Sequence, residues 1–305
     1  MITALIQMSL LIVCGTFWKT FAPAHISSLA HRRALTDLVF YILLPALVLD
    51  VIWRAPLDSS SLQISFLATC GIITGLSIMW IILRVLKARK QQMGALILAA
   101  AFPNSTYLGL PVLDQVIGPH TRSTVLQYDF FACTPILLSL GIILAHYYGG
   151  SKAEVHPLRE LVKIPALWAV TLGIALNLIG VQQSEILHSA LSILSGAVVP
   201  LMLIVLGMSI RWRSLHLRYM KLLAPVVAIS LIIVPLSVYT MSQMIGFDSE
   251  LSIMVTLVGA MPTMVFGIVI CERYQLDSEL YAAAVTLTTI MSLLTLPVWF
   301  QWLST

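Results

Sequence analysis

Ten apolar runs, each close to the roughly 20 residues that an α-helix needs to cross a bilayer core, leave this chain few ways to fold. They fall at 2–18, 34–53, 62–86, 92–117, 123–148, 161–180, 187–210, 219–245, 251–271 and 280–303, and charged residues gather between them. A soluble domain carries about 25% charged residues. Here 10% of 305 residues are charged and 59% are apolar, with a mean hydropathy of +0.97. One or two soluble domains of that length expose too much surface to hide such an excess. The composition excludes a water-soluble enzyme, a secreted disulfide scaffold and a disordered chain. It predicts an all-α polytopic membrane protein with ten transmembrane helices.

The basic residues test that count independently. If the runs alternate in direction, the segments near 19–33, 84–91, 149–163, 211–221 and 272–279 share one side of the membrane. They hold 15 of the 17 Lys and Arg residues, which leaves only Arg54 and Arg122 opposite. Basic residues concentrate in cytoplasmic loops, so this split places both termini outside the cytoplasm; the expected location is a bacterial inner membrane. A nine- or eleven-span arrangement would scramble the separation. The run at 2–18 has no basic residue before it and Lys19 after it, the reverse of a secretory signal, so it is expected to be retained as the first span. Cys14, Cys70, Cys133 and Cys271 all lie inside apolar runs, without the short spacing of a metal site or a disulfide framework. No cofactor and no metal are expected.

The chain also repeats itself. A polar stretch, GGSKAE at 149–154, divides it into halves at 1–150 and 151–305, each with five runs. Pro45 in the second run matches Pro200 in the seventh, and Pro103 in the fourth matches Pro262 in the ninth, at offsets of 155 and 159 residues. Because five is odd, the second half must enter the membrane from the opposite side. Matched interruptions in inverted halves mark a secondary transporter, with its binding site where the broken helices meet.

The richest segment is AFPNSTYLGLP at 101–111. Pro103 has no backbone N–H and its ring clashes with the preceding turn, so the helix breaks there. Asn104, Ser105, Thr106 and Tyr107 follow at mid-membrane depth, where broken backbone survives only inside protein or beside a watery cavity. The second half-helix then begins with unpaired N–H groups, a positive dipole end that can hold an anion. The bland alternative is a kink capped by Asn and Thr. The counterpart GAMPTMVFG at 259–267 has Thr263 as its only polar side chain and would contribute mostly backbone. Together Pro103, Asn104, Ser105, Thr106, Tyr107, Pro262 and Thr263 form the expected substrate site. Asp129 lies well inside the fifth run; an ionised acid at a span centre costs about 2.5–3.5 kcal/mol, which marks a functional group. It would couple transport to an ion by taking up and releasing a proton, or it is a carboxyl satisfied by Gln127, Tyr128 or Thr134. Asp37, Asp50 and Glu272 fall near run ends and are expected to be solvated. Gly71 and Gly75 form a GxxxG pair suited to close helix packing. Trp53, Trp80, Trp168, Trp299 and Trp302 fall where an interfacial belt would lie.

These residues carry a resemblance. FPNSTYLGLPVL at 102–113 resembles the crossover segment of the auxin efflux carrier family, which includes the plant PIN proteins and bacterial malonate/malate permeases. Residues 125–127 are similar to that family's following helix, and 261–297 resembles its last two spans. The resemblance implies a ten-helix inverted-repeat fold with crossed, broken fourth and ninth helices, and Pro103, Asn104 and Pro262 lining the substrate site. It also implies a transport domain of spans three to five and eight to ten, moving against spans one, two, six and seven. Thr263-Met264 stands where PIN proteins tend to have Gln-Gly, and the long central loop of many plant members is missing. Both departures favour a short mono- or dicarboxylate over auxin.

The expected activity is secondary active transport of small organic anions by alternating access. Its expected partners are the carboxylate, the lipid bilayer, a proton or sodium ion and a second copy of the chain, with no nucleic acid. An intramembrane protease would pair Tyr128-Asp129 with a GxGD motif, which does not occur, and neither do GxSG or HExxH. The remaining alternative is a cation or proton antiporter on the same architecture, which would place acids beside the crossing, where this chain has Asn104.

Overall fold

The computed structural model describes residues 2–21, 27–150, 157–210 and 219–304. Residues 151–154 of the polar stretch, and Lys152, Arg211, Arg213 and Arg218 of the basic set, lie outside them. The described chain is helical apart from its turns and one isolated two-residue bridge. Helices fall on every apolar run: α1 (Ile2–Phe21), α2 (Ser28–Trp53), α3 (Ser59–Val85), α4 (Lys90–Ala101), α5 (105–116), α6 (Thr121–Tyr148), α7 (Pro165–Ile179), α8 (Glu185–Ser209), α9 (Met220–Ile245), α10 (Ser249–Gly259), α11 (Gly267–Arg273) and α12 (Ser278–Leu303). Six of these, α2, α3, α6, α8, α9 and α12, are long and apolar enough to cross a membrane. The runs containing Pro103 and Pro262 are each split into two shorter helices, α4–α5 and α10–α11.

Local chemistry explains the helix boundaries. Ser27, Ser184, Asp248 and Asp277 accept hydrogen bonds from the first-turn N–H groups of α2, α8, α10 and α12, satisfying donors that a helix start leaves over. α7 and α9 end on Gly180 (φ 75°) and Gly246 (φ 78°), in the left-handed conformation that glycine adopts without strain.

Prolines inside the helices are accommodated in a recurring way. Five-residue wide turns at Val39–Leu43, Ser105–Gly109, Asp129–Cys133 and Ile229–Ile233 each end two residues before a proline: Pro45, Pro111, Pro135 and Pro235. In three of them the residue just before the proline donates its N–H five residues back, from Leu44 to Val39, Thr134 to Asp129 and Val234 to Ile229. The wider turn moves the ring away from the carbonyl it would otherwise strike. Pro200 lies inside unbroken α8, so the Pro45 and Pro200 landmarks differ in local geometry.

The chain forms two compact units. Unit one takes Met1–Ser61, Thr106–Leu126 and Arg159–Ile210; unit two takes Leu62–Ser105, Gln127–Leu158 and Arg211–Thr305. Each draws on both sequence halves.

In unit one, α1 and α8 cross at backbone contact. A Cβ on Gly15 would collide with the carbonyl of Ile204, and one on Gly207 with that of Ile12. The Thr16 hydroxyl donates to the Gly207 carbonyl at 3.2 Å across the same crossing. α7 packs on α2, and the Asn177 amide donates to the carbonyls of Trp53 and Ala55 at 2.8 and 2.9 Å, at an α2 end that has none of its own donors left. Trp53 is buried and gives its indole N–H to the Val181 carbonyl at 2.7 Å, so it belongs to this clasp and not to an interfacial belt.

Unit two uses the GxxxG pair as its spacing suggests. A Cβ on Gly75 would lie 2.8 Å from the Cα of Ala101, at the last residue of α4, and one on Gly71 would lie 2.9 Å from the Val238 side chain on α9. The small residues therefore draw α3 against the helix end that leads to the break.

Overpacking a tight helix crossing costs about 1–3 kcal/mol. Gly207→Ala is therefore expected to lower the unfolding midpoint of the purified protein in detergent. Gly196→Ala, with nothing within 4 Å of the added carbon, should leave it unchanged.

Candidate functional site

Two helix breaks meet inside unit two and pair as a fragment of antiparallel sheet. The Asn104 N–H donates to the Pro262 carbonyl at 2.7 Å and the Met264 N–H to the Phe102 carbonyl at 3.0 Å, bridging Pro103 with Thr263. Each proline creates a problem, and the pairing answers the one at Pro103. A helix would direct the N–H of residue 103 to the carbonyl of Ala99, but proline has none. The Thr263 hydroxyl donates to that carbonyl instead, at 2.8 Å. On the other strand, the Val258 carbonyl that Pro262 leaves over accepts the Met261 N–H at 3.2 Å, a tighter three-residue turn. Two residues of α12 complete the stitching. Thr288 accepts the Thr263 N–H at 3.1 Å, and the Tyr281 hydroxyl donates to the Met264 carbonyl at 2.8 Å.

Every polar atom named so far is engaged. Asn104 is different. It is 1% exposed, and neither its amide nitrogen nor its amide oxygen meets a hydrogen-bonding partner among the described residues. A primary amide offers two donors and a carbonyl with two lone pairs. Leaving such a group dry and unpaired costs about 1–3 kcal/mol, which makes it the candidate ligand-binding element of the crossing.

The structure thus brings together Pro103, Asn104, Ser105, Pro262 and Thr263, all buried. Thr263, expected to face substrate, has its hydroxyl and N–H committed to Ala99 and Thr288 and acts as a positioning residue. Thr106 is buried and Tyr107 half-buried, and both belong to the 106–126 segment of unit one. Asp129 is 4% exposed and opens the wide turn of α6, and its carboxylate accepts the Thr134 hydroxyl at 3.0 Å. One turn further along, the Cys133 thiol lies near the Ser105 hydroxyl, which brings α6 to the crossing. The tyrosine beside Asp129 has a buried hydroxyl with no partner among the described residues, close to Gly71 and Gly259.

Asp50 was expected to be solvated at a run end. It is 5% exposed and serves as the hub of a polar knot in unit one. Its Oδ1 accepts Arg54 Nη2 at 3.1 Å and Gln183 Nε2 at 3.1 Å, and His188 Nδ1 lies at 3.0 Å. The Asp50–Arg54 spacing of four residues was the available signal, since it places both on one helix face. The Arg122 guanidinium grips Asp114 through two bonds of 2.7 and 2.8 Å. Both basic residues isolated by the charge split are thus ion-paired within the chain.

Comparison with known proteins gives the family. The family described as membrane transport protein matches residues 1–300. The chain belongs to that family, the auxin efflux carriers. It is similar to an uncharacterized transporter of Methanothermobacter thermautotrophicus, 31% identical over 87% of each chain. An uncharacterized transporter of Methanocaldococcus jannaschii is 25% identical over 95% of this chain and 94% of its own. The transporter YfdV of Escherichia coli is 22% identical over 66% and 65%. This auxin efflux carrier homologue is therefore an integral membrane transport protein.

The stitch makes a direct expectation. Thr263→Val keeps the shape and removes the hydroxyl, leaving the Ala99 carbonyl without a donor at a cost of about 1–3 kcal/mol. The unfolding midpoint in detergent should fall, and Thr263→Ser should restore most of it.

Proposed function

We propose that this carrier is a secondary active transporter of small organic anions, mono- or dicarboxylates, bound at the crossing of its two helix breaks. The observation that carries the reading is the buried Asn104 amide, the one polar side chain of the crossing with its donors uncommitted. A carboxylate oxygen accepts those donors. No acid lies between Phe102 and Ser105 or between Met261 and Phe266, which disfavours a cation at the same place.

The ten apolar runs then serve as ten spans in two inverted repeats, 1–150 and 151–305, with both termini outside the cytoplasm of a bacterial cell. Unit two holds the crossing and moves past unit one in an elevator-like step. This division follows the separation of segments 62–105, 127–158 and 211–305 from the rest. Asp129 supplies coupling by taking and releasing a proton as its helix moves with the site, and a second copy of the chain completes the assembly.

The test is uptake of labelled malonate, malate, lactate and indole-acetate into proteoliposomes, with and without an imposed pH gradient. Saturable uptake of one acid supports the reading. Proton or sodium flux without any acid uptake replaces it with an antiporter. Asn104→Ala should weaken substrate affinity by about 10- to 100-fold, the worth of a hydrogen bond to a charged group, with folding intact. Asp129→Asn should abolish accumulation driven by the pH gradient and spare exchange of substrate for substrate. Unaltered accumulation would make Asp129 structural.

A further inference from the structure

Many hydroxyls on these helices close onto their own backbone. Ser209 donates to Val205, Ser230 to Val226, Thr286 to Ala282 and Thr288 to Ala284, each to the carbonyl one turn back. The hydroxyls of Ser252 and Thr256 on α10 and of Tyr128 on α6 do not. They meet no hydrogen-bonding partner among the described residues, and these side chains are 2%, 0% and 0% exposed. A buried hydroxyl left dry costs about 1–3 kcal/mol, and buried water is the common partner of such groups.

The three lie in a row. Ser252, Thr256 and Gly259 are spaced by four and three residues, so they share one face of α10. Gly259 shows what that face meets. A Cβ there would lie 3.6 Å from the Tyr128 hydroxyl, and one on Gly71 of α3 would lie 3.5 Å from the same oxygen. Two glycines thus keep side chains off the Tyr128 hydroxyl, and Val234 and Val238 of α9 close the space beside Gly71. Ser252 and Thr256 are about 6 Å apart along the helix axis, a span that one water bridges with a hydrogen bond to each.

The row has a wet end and a charged end. Asp248, Ser249 and Glu250, at the start of α10, are exposed, and Ser252 is the first buried residue after them. At the far end Tyr128 adjoins Asp129 in sequence, and its titratable neighbours are Cys133, Asp129 and Cys70. Of these, only the carboxyl of Asp129 belongs to a class that ionises below neutral pH in water. Resting on the coupling role given to Asp129 above, we propose that Ser252, Thr256 and Tyr128 hold a file of water that carries protons between the start of α10 and Asp129. Each oxygen in the file accepts one proton and releases another, so no group changes its net charge until the proton rests on the Asp129 carboxylate and neutralises it. It leaves by the same steps reversed.

The test begins with X-ray hydroxyl-radical footprinting of the purified full chain in nanodiscs, because radicals formed from a bound water attack the side chain beside it. Tyr281 is the internal control, 1% exposed with its hydroxyl held by the Met264 carbonyl. Tyr128 is expected to be oxidised well above Tyr281, and in Thr256→Val its labelling should fall to the Tyr281 level. In proteoliposomes, Thr256→Val should slow accumulation of a labelled mixture of malonate, malate, lactate and indole-acetate under a pH gradient by about tenfold, the worth of one hydrogen bond lost from the path. Exchange of substrate for substrate should be spared, and Thr256→Ser should restore both the labelling and the rate. The unfolding midpoint of Thr256→Val should not fall, since the hydroxyl binds nothing in the described chain; a fall would make it structural and overturn the inference. Tyr128 labelled no more than Tyr281, or accumulation by Thr256→Val at the wild-type rate, would overturn it and leave coupling by Asp129 standing. Accumulation unaltered in Asp129→Asn, driven by a sodium gradient at equal pH, or absent from the wild-type chain would overturn the coupling reading and this inference together.

Discussion

In an apolar surround a backbone carbonyl has no water to turn to, and that constraint governs where this chain can break its helices. Each proline removes one N–H, and the stranded carbonyl must find another donor. Ala99 finds the Thr263 hydroxyl, and Val258 finds the Met261 N–H. Leu231, four residues before Pro235, accepts the indole N–H of Trp299 at 2.8 Å. Elsewhere a wide turn just before the proline shifts the hydrogen-bond register. The crossing is the fullest form of this solution, because the second break supplies the donor that the Ala99 carbonyl lacks and the two breaks pair through a two-residue bridge.

Those satisfied groups give the unsatisfied one its meaning. Asp50 in unit one is a buried carboxyl met by Arg54 at the end of α2, by Gln183 of the α7–α8 connection and by His188 of α8, and it ties those segments together. Asn104 in unit two is buried to a similar degree, and its side chain meets no partner among the described residues. A group that holds the fold is engaged within the chain, and a group with no partner there does not hold it. Thr263 and Asn104 lie on facing strands of the same bridge, yet they fall on opposite sides of this distinction.

Close packing makes the arrangement rigid enough to matter. Gly75 admits α3 to backbone contact with the end of α4, one residue before the chain leaves the helix at Phe102. In unit one, Gly15 and Gly207 perform the same service for α1 and α8, Gly15 against the Ile204 carbonyl and Gly207 against the Ile12 carbonyl. Association without a hydrophobic driving force depends on such small residues.

Apolar periodicity and the positions of two prolines were enough to locate the helices and both breaks, because hydrophobic length and the missing proline N–H act locally. Pro103 and Pro262 also announced that the breaks correspond, and the resemblance of 102–113 to the auxin efflux carriers named the family. Which polar groups would be used up was not legible there. Thr263 and Asn104 are both polar residues just after a proline, and only the crossing shows one hydroxyl spent on Ala99 and one amide left over. Asp50 read as a solvated helix end because its partners Gln183 and His188 lie more than 130 residues away. The reciprocal contact of Gly15 and Gly207 was equally hidden, since a glycine's neighbour is set by the helix it meets. Helix position is written in the spacing of a single segment. Hydrogen-bond satisfaction is a property of pairs, and the pairs exist only once distant segments have packed.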